Sequence, residues 1–466
     1  MVEELELYRK EIAEINHQIL SLVKARFQLA AKIGAVKKRR NLPITDLKVE
    51  NEVLITSLNF ARAIGLDEGF SLKLINLLIA EAVKLQKGIL TDRSSFLYNI
   101  FEKAKSLEAR GDSVIRLEVG EPDLSSPVEL KEALKDNLYA SDVVGYSSSG
   151  GLQDLREAIA DDLNQQYGTD ITENQVLITP GGKFAIFSAI LSMVSPGDRV
   201  VVPEPTWPVY GSCIHLANGR LDTIHTRLED LWNINMGEVT EVLKVNPKLF
   251  ILCSPNNPTG KVFSAKLLGE LAVSAERKGI YLLSDEVYSA FSPIPFKSIL
   301  QVMNSNFIYV SSFSKRYGMT GWRIGYAVSD VKTIARMQSI LQLSVTCVPE
   351  FIQCAALKAL TMNPGIFNNF AKSMKQRLDA ACKDLDSLPL SYVRPNGGMY
   401  IFPKVKIEGF HSDVFANQLL EAEKVAIAPG EAFGDYPEHF RISLGTGIGD
   451  IKTGIKKIGE ALKNWR

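Results

Sequence analysis

The chain has 466 residues, of which 46% are hydrophobic and 23% are charged, a balance typical of soluble globular proteins. Its length predicts two or three domains. Basic and acidic residues both number 53, so the net charge of +0 gives no reason to expect nucleic acid or an anionic membrane as partner. The sequence shows no signal pattern, no apolar run of about 18 residues and no metal-binding cysteine spacing, so we expect a cytoplasmic protein without a metal site.

Residues 1–88 follow a helical pattern. Apolar residues recur at alternate spacings of four and three along residues 8–36, which predicts a long first helix that ends before Pro43. A second helix is expected from about Leu47 to Ala63, with Thr45 or Asp46 as its cap. A third helix, capped by Asp67, is expected to run to Lys87. One small domain cannot bury so long an apolar seam, so we expect a dimer with shared helices.

Polar side chains interrupt this seam. Arg26 stands where an apolar residue belongs, and a buried guanidinium needs an anionic partner. Lys37 lies on nearly the same face, Arg9 lies near the helix start, and Gln86 shares the inward face of the third helix. This arrangement predicts a pocket for a small polyanion, and basic residues that snorkel along a dimeric bundle are the alternative.

After a linker at residues 89–94, residues 95–466 alternate short apolar strands with amphipathic helices, as an α/β fold requires. Polar motifs follow several of the expected strands, where α/β sheets place their ligands. Lys315 lies in an expected tight loop, and Ser312, Ser314 and Arg323 are close to it in the sequence. This pattern is suited to a Schiff-base lysine beside a phosphate site. The other motifs are Thr179–Lys183, Ser254–Gly260 and Ser284–Tyr288.

Together these motifs resemble those of the class I, fold-type I aminotransferases that depend on pyridoxal phosphate (PLP). The resemblance covers about Ser95 to Arg466. It implies an α/β fold like that of aspartate aminotransferase, with a large domain at about 128–344 and a small domain at about 95–127 plus 345–466. The residues implied to bind PLP are Gly181, Gly182, Lys183, Trp207, Asn257, Asp285, Tyr288, Ser312, Ser314, Lys315, Arg323 and the partner subunit's Tyr146.

The resemblance also implies individual roles. Asp285 would pair with the pyridine nitrogen, and Lys315 would hold the PLP aldehyde and later carry protons. Arg441 would bind the substrate α-carboxylate in a bidentate manner, beside a close backbone approach at Gly120.

Residues 5–87 resemble the dimeric all-helical chorismate mutases, in the spacing of Arg9, Arg26, Lys37, Asp46, Glu50 and Gln86. By this resemblance Arg9, from the neighbouring subunit, and Arg26 bind the carboxylates of chorismate. Lys37 and Gln86 bond the ether oxygen, and Glu50 bonds the ring hydroxyl. Val49 and Ala82 depart from the family pattern and make the implied pocket less polar.

The combination predicts a bifunctional enzyme of aromatic amino-acid synthesis that converts chorismate to prephenate. It would aminate prephenate or an aromatic keto acid, with glutamate or aspartate as donor. Arg93 and Lys183 are candidates for binding a distal substrate carboxylate. Two alternatives remain open: an aspartate or broad-specificity aminotransferase whose N-terminal part only dimerises or senses a ligand, and a PLP lyase on the same fold.

Overall fold

The computed structural model describes residues 2–39, 47–87, 93–140 and 144–465. The chain divides into two compact units. The first comprises Met1–Thr91, Ser195–Arg199 and Asn218–Arg220, and the second contains the remaining residues, Asp92–Val194, Val200–Ala217 and Leu221–Arg466. Within the described ranges, no helix combines the length and the apolar character that a membrane span requires.

The first unit contains three helices: α1 (Val2–Arg39), α2 (Leu47–Ala63) and α3 (Glu68–Lys87). The helices predicted from the sequence are therefore confirmed. Gly65 adopts a φ of 73°, a left-handed conformation that ends α2 at little steric cost. The Asp67 carboxylate accepts a hydrogen bond from the Phe70 amide at 2.7 Å, so it caps α3 as expected. The cap predicted at Thr45 or Asp46 lies outside the described residues.

The three helices bury a narrow core and leave the seam of α1 exposed. Leu54 and Ala61 of α2 and Ile79 of α3 are buried. By contrast, every described seam residue with a large apolar side chain between Tyr8 and Val36 is exposed. The same helix that the sequence pattern predicts therefore carries an apolar stripe that one copy of the unit does not cover.

The second unit alternates helices and strands in the predicted manner. Its helices are α4 (Ser94–Ala109), α5 (Val128–Leu138), α6 (Gln153–Tyr167), α7 (Gly182–Met193), α8 (Val209–Leu216), α9 (Met236–Leu243), α10 (Ala265–Lys278), α11 (Phe313–Arg316), α12 (Val331–Ser344), α13 (Glu350–Thr361), α14 (Gly365–Leu385), α15 (Ser412–Glu423) and α16 (Ile448–Lys463). Its strands are β1 (Ile115–Arg116), β2 (Val176–Thr179), β3 (Arg199–Glu204), β4 (Arg220–His225), β5 (Leu249–Cys253), β6 (Tyr281–Asp285), β7 (Phe307–Ser312), β8 (Gly325–Ser329), β9 (Leu390–Ser391), β10 (Tyr400–Ile401), β11 (Lys404–Val405), β12 (Val425–Ala426), β13 (Ala428–Pro429) and β14 (Phe440–Ser443).

The central sheet has seven strands in the order β2-β8-β7-β6-β5-β3-β4. Strands β3, β5, β6 and β7 are parallel, and β8 runs antiparallel to both β7 and β2. Strands β2, β3, β5, β6 and β7 therefore end at the same edge of the sheet. Because their interiors are apolar and buried, the polar residues that follow them collect at this edge.

Two separate hydrophobic clusters support this edge. One lies around the central sheet and includes Leu177, Ile251 and Val310. The other lies around β10, β12 and β14 and includes Tyr400 and Ile442. The two clusters agree with the expected division into large and small domains, whose boundaries stay a prediction.

Candidate active site

A cavity of about 460 Å³ opens at the edge where the parallel strands end. Loops after β2, β3, β5, β6 and β7 line one part of it. The opposite lining comes from α4, the loop at Gly120, β10 and β14. The cavity therefore joins segments that are far apart in the sequence, and it contains most of the predicted aminotransferase site residues.

Lys315 is half-buried in this cavity, one turn after the end of β7. Its ammonium donates to the Gly120 carbonyl and lies 5.8 Å from the centre of the Tyr288 ring. Burial lowers the pKa of Lys315 to about 8, although nearby Glu121 raises it, and Arg441 and Arg323 lower it further. A larger fraction of this amine is neutral near physiological pH than for an exposed lysine, which favours attack on a carbonyl.

Asp285 lies at the end of β6 and is fully buried. Its Oδ2 accepts a hydrogen bond from the Tyr210 hydroxyl at 2.6 Å, and its Oδ1 accepts from the Val287 amide at 3.3 Å. Burial raises the pKa of Asp285 to about 6, against the effect of these hydrogen bonds and of Lys315. The carboxylate is therefore still ionised at neutral pH and can pair with a cationic ring nitrogen.

Arg441 of β14 is buried and reaches the loop after β5. Its Nη1 donates to Asn257 Oδ1 at 2.9 Å, and its Nη2 donates to the Glu118 carbonyl. The guanidinium carbon also lies 4.4 Å from the centre of the Tyr400 ring. Arg441 Nε is one of the buried side-chain atoms of the described residues that have no hydrogen-bond partner. This guanidinium therefore keeps capacity for an anionic ligand.

The predicted phosphate site forms a cradle of small and hydroxyl residues. Gly181 has a φ of 84° and precedes Gly182, the first residue of α7, so backbone amides at this helix end point toward the cavity. A Cβ atom on Gly181 would lie only 2.5 Å from Arg323 Nη2. The hydroxyl of Ser312 donates to that of Ser314 at 2.8 Å. These groups form a compact set of donors suited to a phosphate.

Lys183 and two aromatic rings form the outer part of the cavity. The Lys183 ammonium donates to the Tyr98 hydroxyl at 3.2 Å. It also lies 5.3 Å from the centre of the Trp207 ring and 5.8 Å from that of Tyr98. The cavity therefore combines an exposed cation with aromatic faces on which a ring can pack.

Three predicted aminotransferase site residues, Gly181, Tyr146 and Arg93, are not among the residues that line the cavity. Tyr146 is 87% exposed, which leaves its hydroxyl free for a neighbouring molecule. Arg93 forms an ion pair with the buried Glu204 at 2.5 Å, so in this conformation its guanidinium is already engaged. A distal-carboxylate role for Arg93 stays a prediction and requires that this ion pair open.

The predicted mutase residues lie on the helices of the first unit. Arg9 is exposed on α1, and Lys37 is half-buried on the same helix. Arg26 Nη1 donates to the Leu78 carbonyl at 2.6 Å, so α3 supplies a partner that the sequence did not predict. Glu50 forms an ion pair with Arg220, the first residue of β4, which belongs to the first unit while the rest of that strand belongs to the second. Asp46 and the side chain of Gln86 lie outside the described residues.

Comparison with known families identifies both parts. Residues 112–458 match the family model described as aminotransferase class I and II. The chain belongs to the class I and II aminotransferases. Residues 8–87 match the model described as chorismate mutase type II, so the enzyme joins an aminotransferase to a chorismate mutase domain. Transamination is thereby favoured over the lyase alternative.

Named relatives align with the aminotransferase part of the chain. The aspartate aminotransferase of Thermotoga maritima is 34% identical over 365 residues, which cover 78% of this chain and 95% of the relative. A protein of Aquifex aeolicus described as a probable aspartate/prephenate aminotransferase is 34% identical over 379 residues, 78% of this chain and 95% of the relative. The structure of Thermus thermophilus aspartate aminotransferase with maleate superposes with a TM-score of 0.75 at 29% identity, covering 80% of this chain and 99% of that one.

Aminotransferases of this class use PLP, and the residues present fit it. The glycine cradle, which a Cβ would fill, suits the phosphate. A buried carboxylate suits the ring nitrogen, and a half-buried lysine with a lowered pKa suits the aldehyde.

Three tyrosines of the site were not predicted from the sequence: Tyr98, Tyr210 and Tyr400. Tyr210 lies one helical turn after Trp207, a spacing that could have indicated a shared site. Tyr400 follows the glycine pair Gly397-Gly398 and bonds the Tyr288 hydroxyl at 2.7 Å.

Proposed function

We propose that this enzyme converts chorismate to prephenate in its helical domain and aminates prephenate in its aminotransferase unit, with glutamate or aspartate as amino donor. The observation that carries the aminotransferase part is the position of Lys183, whose ammonium lies over the Trp207 and Tyr98 rings in a cavity that also contains Arg441. Prephenate is a ring-containing keto acid with a second carboxylate, and both features have a counterpart in this lining.

PLP would be held by residues on the loops after the strands. Asp285 would pair with the ring nitrogen, and Tyr288 and Asn257 would bond the phenolic oxygen. Trp207 would stack on the ring. The phosphate would be bound by the amides of Gly182 and Lys183, by Ser312, Ser314 and Arg323, and by the partner subunit's Tyr146.

When bound, PLP withdraws electrons from the substrate α-carbon. The chain's own groups then bind and move protons. Arg441 would bind the α-carboxylate, for which its unpartnered Nε leaves capacity. The Lys315 amine would take the proton from the α-carbon, a role supported by its lowered pKa, because a neutral amine can act as a base.

In the mutase domain no nucleophile is required, because the rearrangement is pericyclic. The cationic groups Arg9 and Arg26 would bind the two carboxylates, and Lys37 would stabilise negative charge that develops on the ether oxygen. Arg9 is exposed on α1, which agrees with a role in the site of a second copy. The exposed stripe of α1 supports such a dimer, since it is too apolar to favour contact with water.

Mixing two inactive variants tests the shared site. Arg9→Ala and Lys37→Ala each remove one group. If Arg9 acts across the dimer, each mixed dimer keeps one of its two sites, so an equal mixture with random pairing should regain about a quarter of the chorismate turnover. A mixture of Arg26→Ala with Lys37→Ala should stay inactive. Lys32→Ala, at an exposed position of the same helix, is the control and should retain activity. Activity in a monomer would overturn the shared site.

The keto-acid substrate is tested by comparing prephenate, phenylpyruvate and oxaloacetate with the same amino donor. Lys183→Gln should lower kcat/KM for prephenate about tenfold and change that for phenylpyruvate little, because prephenate carries a distal carboxylate and phenylpyruvate does not. Arg93→Ala tests the other candidate in the same assay. Turnover of oxaloacetate alone would instead favour the second candidate, an aspartate aminotransferase with a helical dimerisation or sensing domain. The number of aspartate aminotransferases among the relatives favours that candidate.

A further inference from the structure

Tyr210 is a buried residue of the cavity lining and belongs to none of the sequence motifs. It lies in α8, is 0% exposed, and donates its hydroxyl proton to Asp285 at 2.6 Å. A carboxylate accepts such a bond only in an orientation that directs one oxygen to the phenol. The second oxygen of Asp285 is bonded by the Val287 amide at a longer distance, 3.3 Å. Tyr210 therefore makes the shorter of the two contacts that fix this carboxylate.

The surroundings of Tyr210 hold its ring in place. The ring packs edge-on against Trp207, with centroids 5.6 Å apart and an interplanar angle of 87°. It also belongs to the core cluster around the central sheet. Because Trp207 lines the cavity and Tyr210 contacts both Trp207 and Asp285, one side chain connects two walls of the site.

The ionisation of the two groups is compatible with this bond. Burial raises the pKa of Tyr210 well above its ordinary value, and the Asp285 carboxylate adds to this effect, so the phenol remains a donor at physiological pH. The other titratable groups that act on Asp285 or are acted on by it are Cys253, Glu286, Tyr288, Lys315 and Tyr400. Of these, only Lys315 carries a positive charge.

We propose that Tyr210 is a positioning residue that holds the Asp285 carboxylate ionised and oriented toward the ring nitrogen of the cofactor. The proposal rests on the role of Asp285 in the proposed function. Loss of the hydroxyl would leave Asp285 Oδ2 without its donor in a buried environment. The ring nitrogen would then keep its positive charge less firmly. Because that charge opposes protonation of the Schiff base at Lys315, the Schiff base would hold its proton to a higher pH.

The test uses the full chain loaded with PLP and follows the absorbance of the bound cofactor as a function of pH. Tyr210→Phe removes only the hydroxyl. It should move the midpoint of this titration upward by about one pH unit and weaken PLP binding about tenfold, the loss of roughly one charge-assisted hydrogen bond. The matched control is Tyr392→Phe, which removes another tyrosine hydroxyl that donates to an aspartate, Asp386, away from the cavity. This control should leave both values unchanged.

Asp285→Asn separates failure of this inference from failure of the cofactor assignment. If Asp285→Asn moves the titration and Tyr210→Phe does not, Asp285 serves the cofactor and the role of Tyr210 is refuted. If neither variant moves it, both assignments are wrong. The unfolding temperature of the cofactor-free variants shows whether Tyr210→Phe is folded. A lower unfolding temperature with an unchanged titration would mean that Tyr210 only packs, which also refutes the proposal.

Discussion

Asn257 and Arg441 are joined by a hydrogen bond of 2.9 Å, in which the guanidinium donates to the amide oxygen. The bond connects the loop after β5 with β14 and lies within the cavity lining. The two residues are proposed to contact different molecules, PLP and the substrate carboxylate. Their direct contact means that a change in one will alter the position of the other.

Arg441→Lys should lower kcat/KM for amino acids and keto acids about 100-fold, because an ammonium cannot replace a bidentate guanidinium that contributes about 3 kcal/mol. PLP should remain bound, since Arg441 is not assigned to the cofactor. Steady-state kinetics and the absorbance of bound PLP check both expectations. Arg394→Lys, at an exposed arginine paired with Asp379, is the control. An unchanged kcat/KM would contradict the assignment.

The rate of PLP incorporation into the cofactor-free protein should rise with pH and level off above about pH 8. Burial lowers the pKa of Lys315 to about 8, and only the neutral amine, which predominates above that pH, attacks the aldehyde. Stopped-flow absorbance measures this rate, and Lys315→Ala should show no covalent incorporation at any pH. A midpoint near the ordinary lysine value of about 10.4 would show that the amine is not perturbed.

Gly120→Ala should lower activity at least tenfold and destabilise the protein by about 1–3 kcal/mol. A Cβ at this position would lie 2.1 Å from the Tyr400 hydroxyl and 3.2 Å from its ring carbon Cζ, and Tyr400 is fixed by its bond to Tyr288. Denaturant unfolding and kinetics measure the two effects, and Tyr400→Phe should rescue the variant only in part.

The control for this substitution is Gly269→Ala. Gly269 lies within α10, where a Cβ atom would meet no heavy atom within 4 Å. This variant should be neutral or slightly stabilised, by up to about 1 kcal/mol, since alanine favours the helix. Equal behaviour of the two glycine variants would contradict the steric explanation.

Glu286→Gln should stabilise the cofactor-free protein at pH 8 and change little at pH 5. Burial raises the pKa of Glu286 to about 7, so its contribution to stability is present below its ordinary pKa and is lost as pH rises through about 7. The neutral amide removes this loss, worth up to about 3 kcal/mol. It also retains the oxygen that accepts from Ser284 and from the Ile299 amide.

Urea unfolding at several pH values measures this difference. Glu238→Gln, at an exposed position of α9, should show the pH dependence of the unmodified protein. If Glu286→Gln and the unmodified protein lose stability in parallel between pH 5 and pH 8, then Glu286 is not the group responsible.

The sequence predicted the parts of the site that lie on single loops. Asp285 ends an apolar strand, Lys315 and Asn257 lie within a few residues after one, and parallel strands bring their ends to one edge. The three helices of the first unit were likewise predictable, because apolar periodicity and capping residues are local properties.

Contacts between distant segments could not be predicted in the same way. The bonds between Tyr210 and Asp285 and between Tyr288 and Tyr400 join residues 75 and 112 positions apart. No local pattern records such a pairing, since a buried tyrosine looks the same in the sequence whether it packs or donates. The partner of Arg93 was likewise not predictable, because the buried Glu204 lies 111 positions away. The sequence therefore suggested an available cation where the structure has an ion pair.

The most direct test of the central claim is a single reaction with the purified, PLP-loaded enzyme, chorismate and glutamate or aspartate, with the products identified by mass. The account predicts arogenate, the amination product of prephenate. Lys315→Ala should stop at prephenate, and Lys37→Ala should leave chorismate unchanged but still aminate added prephenate. Prephenate that accumulates in the unmodified enzyme without amination, with either donor, would contradict prephenate as the aminotransferase substrate. Unchanged chorismate would contradict an active mutase domain.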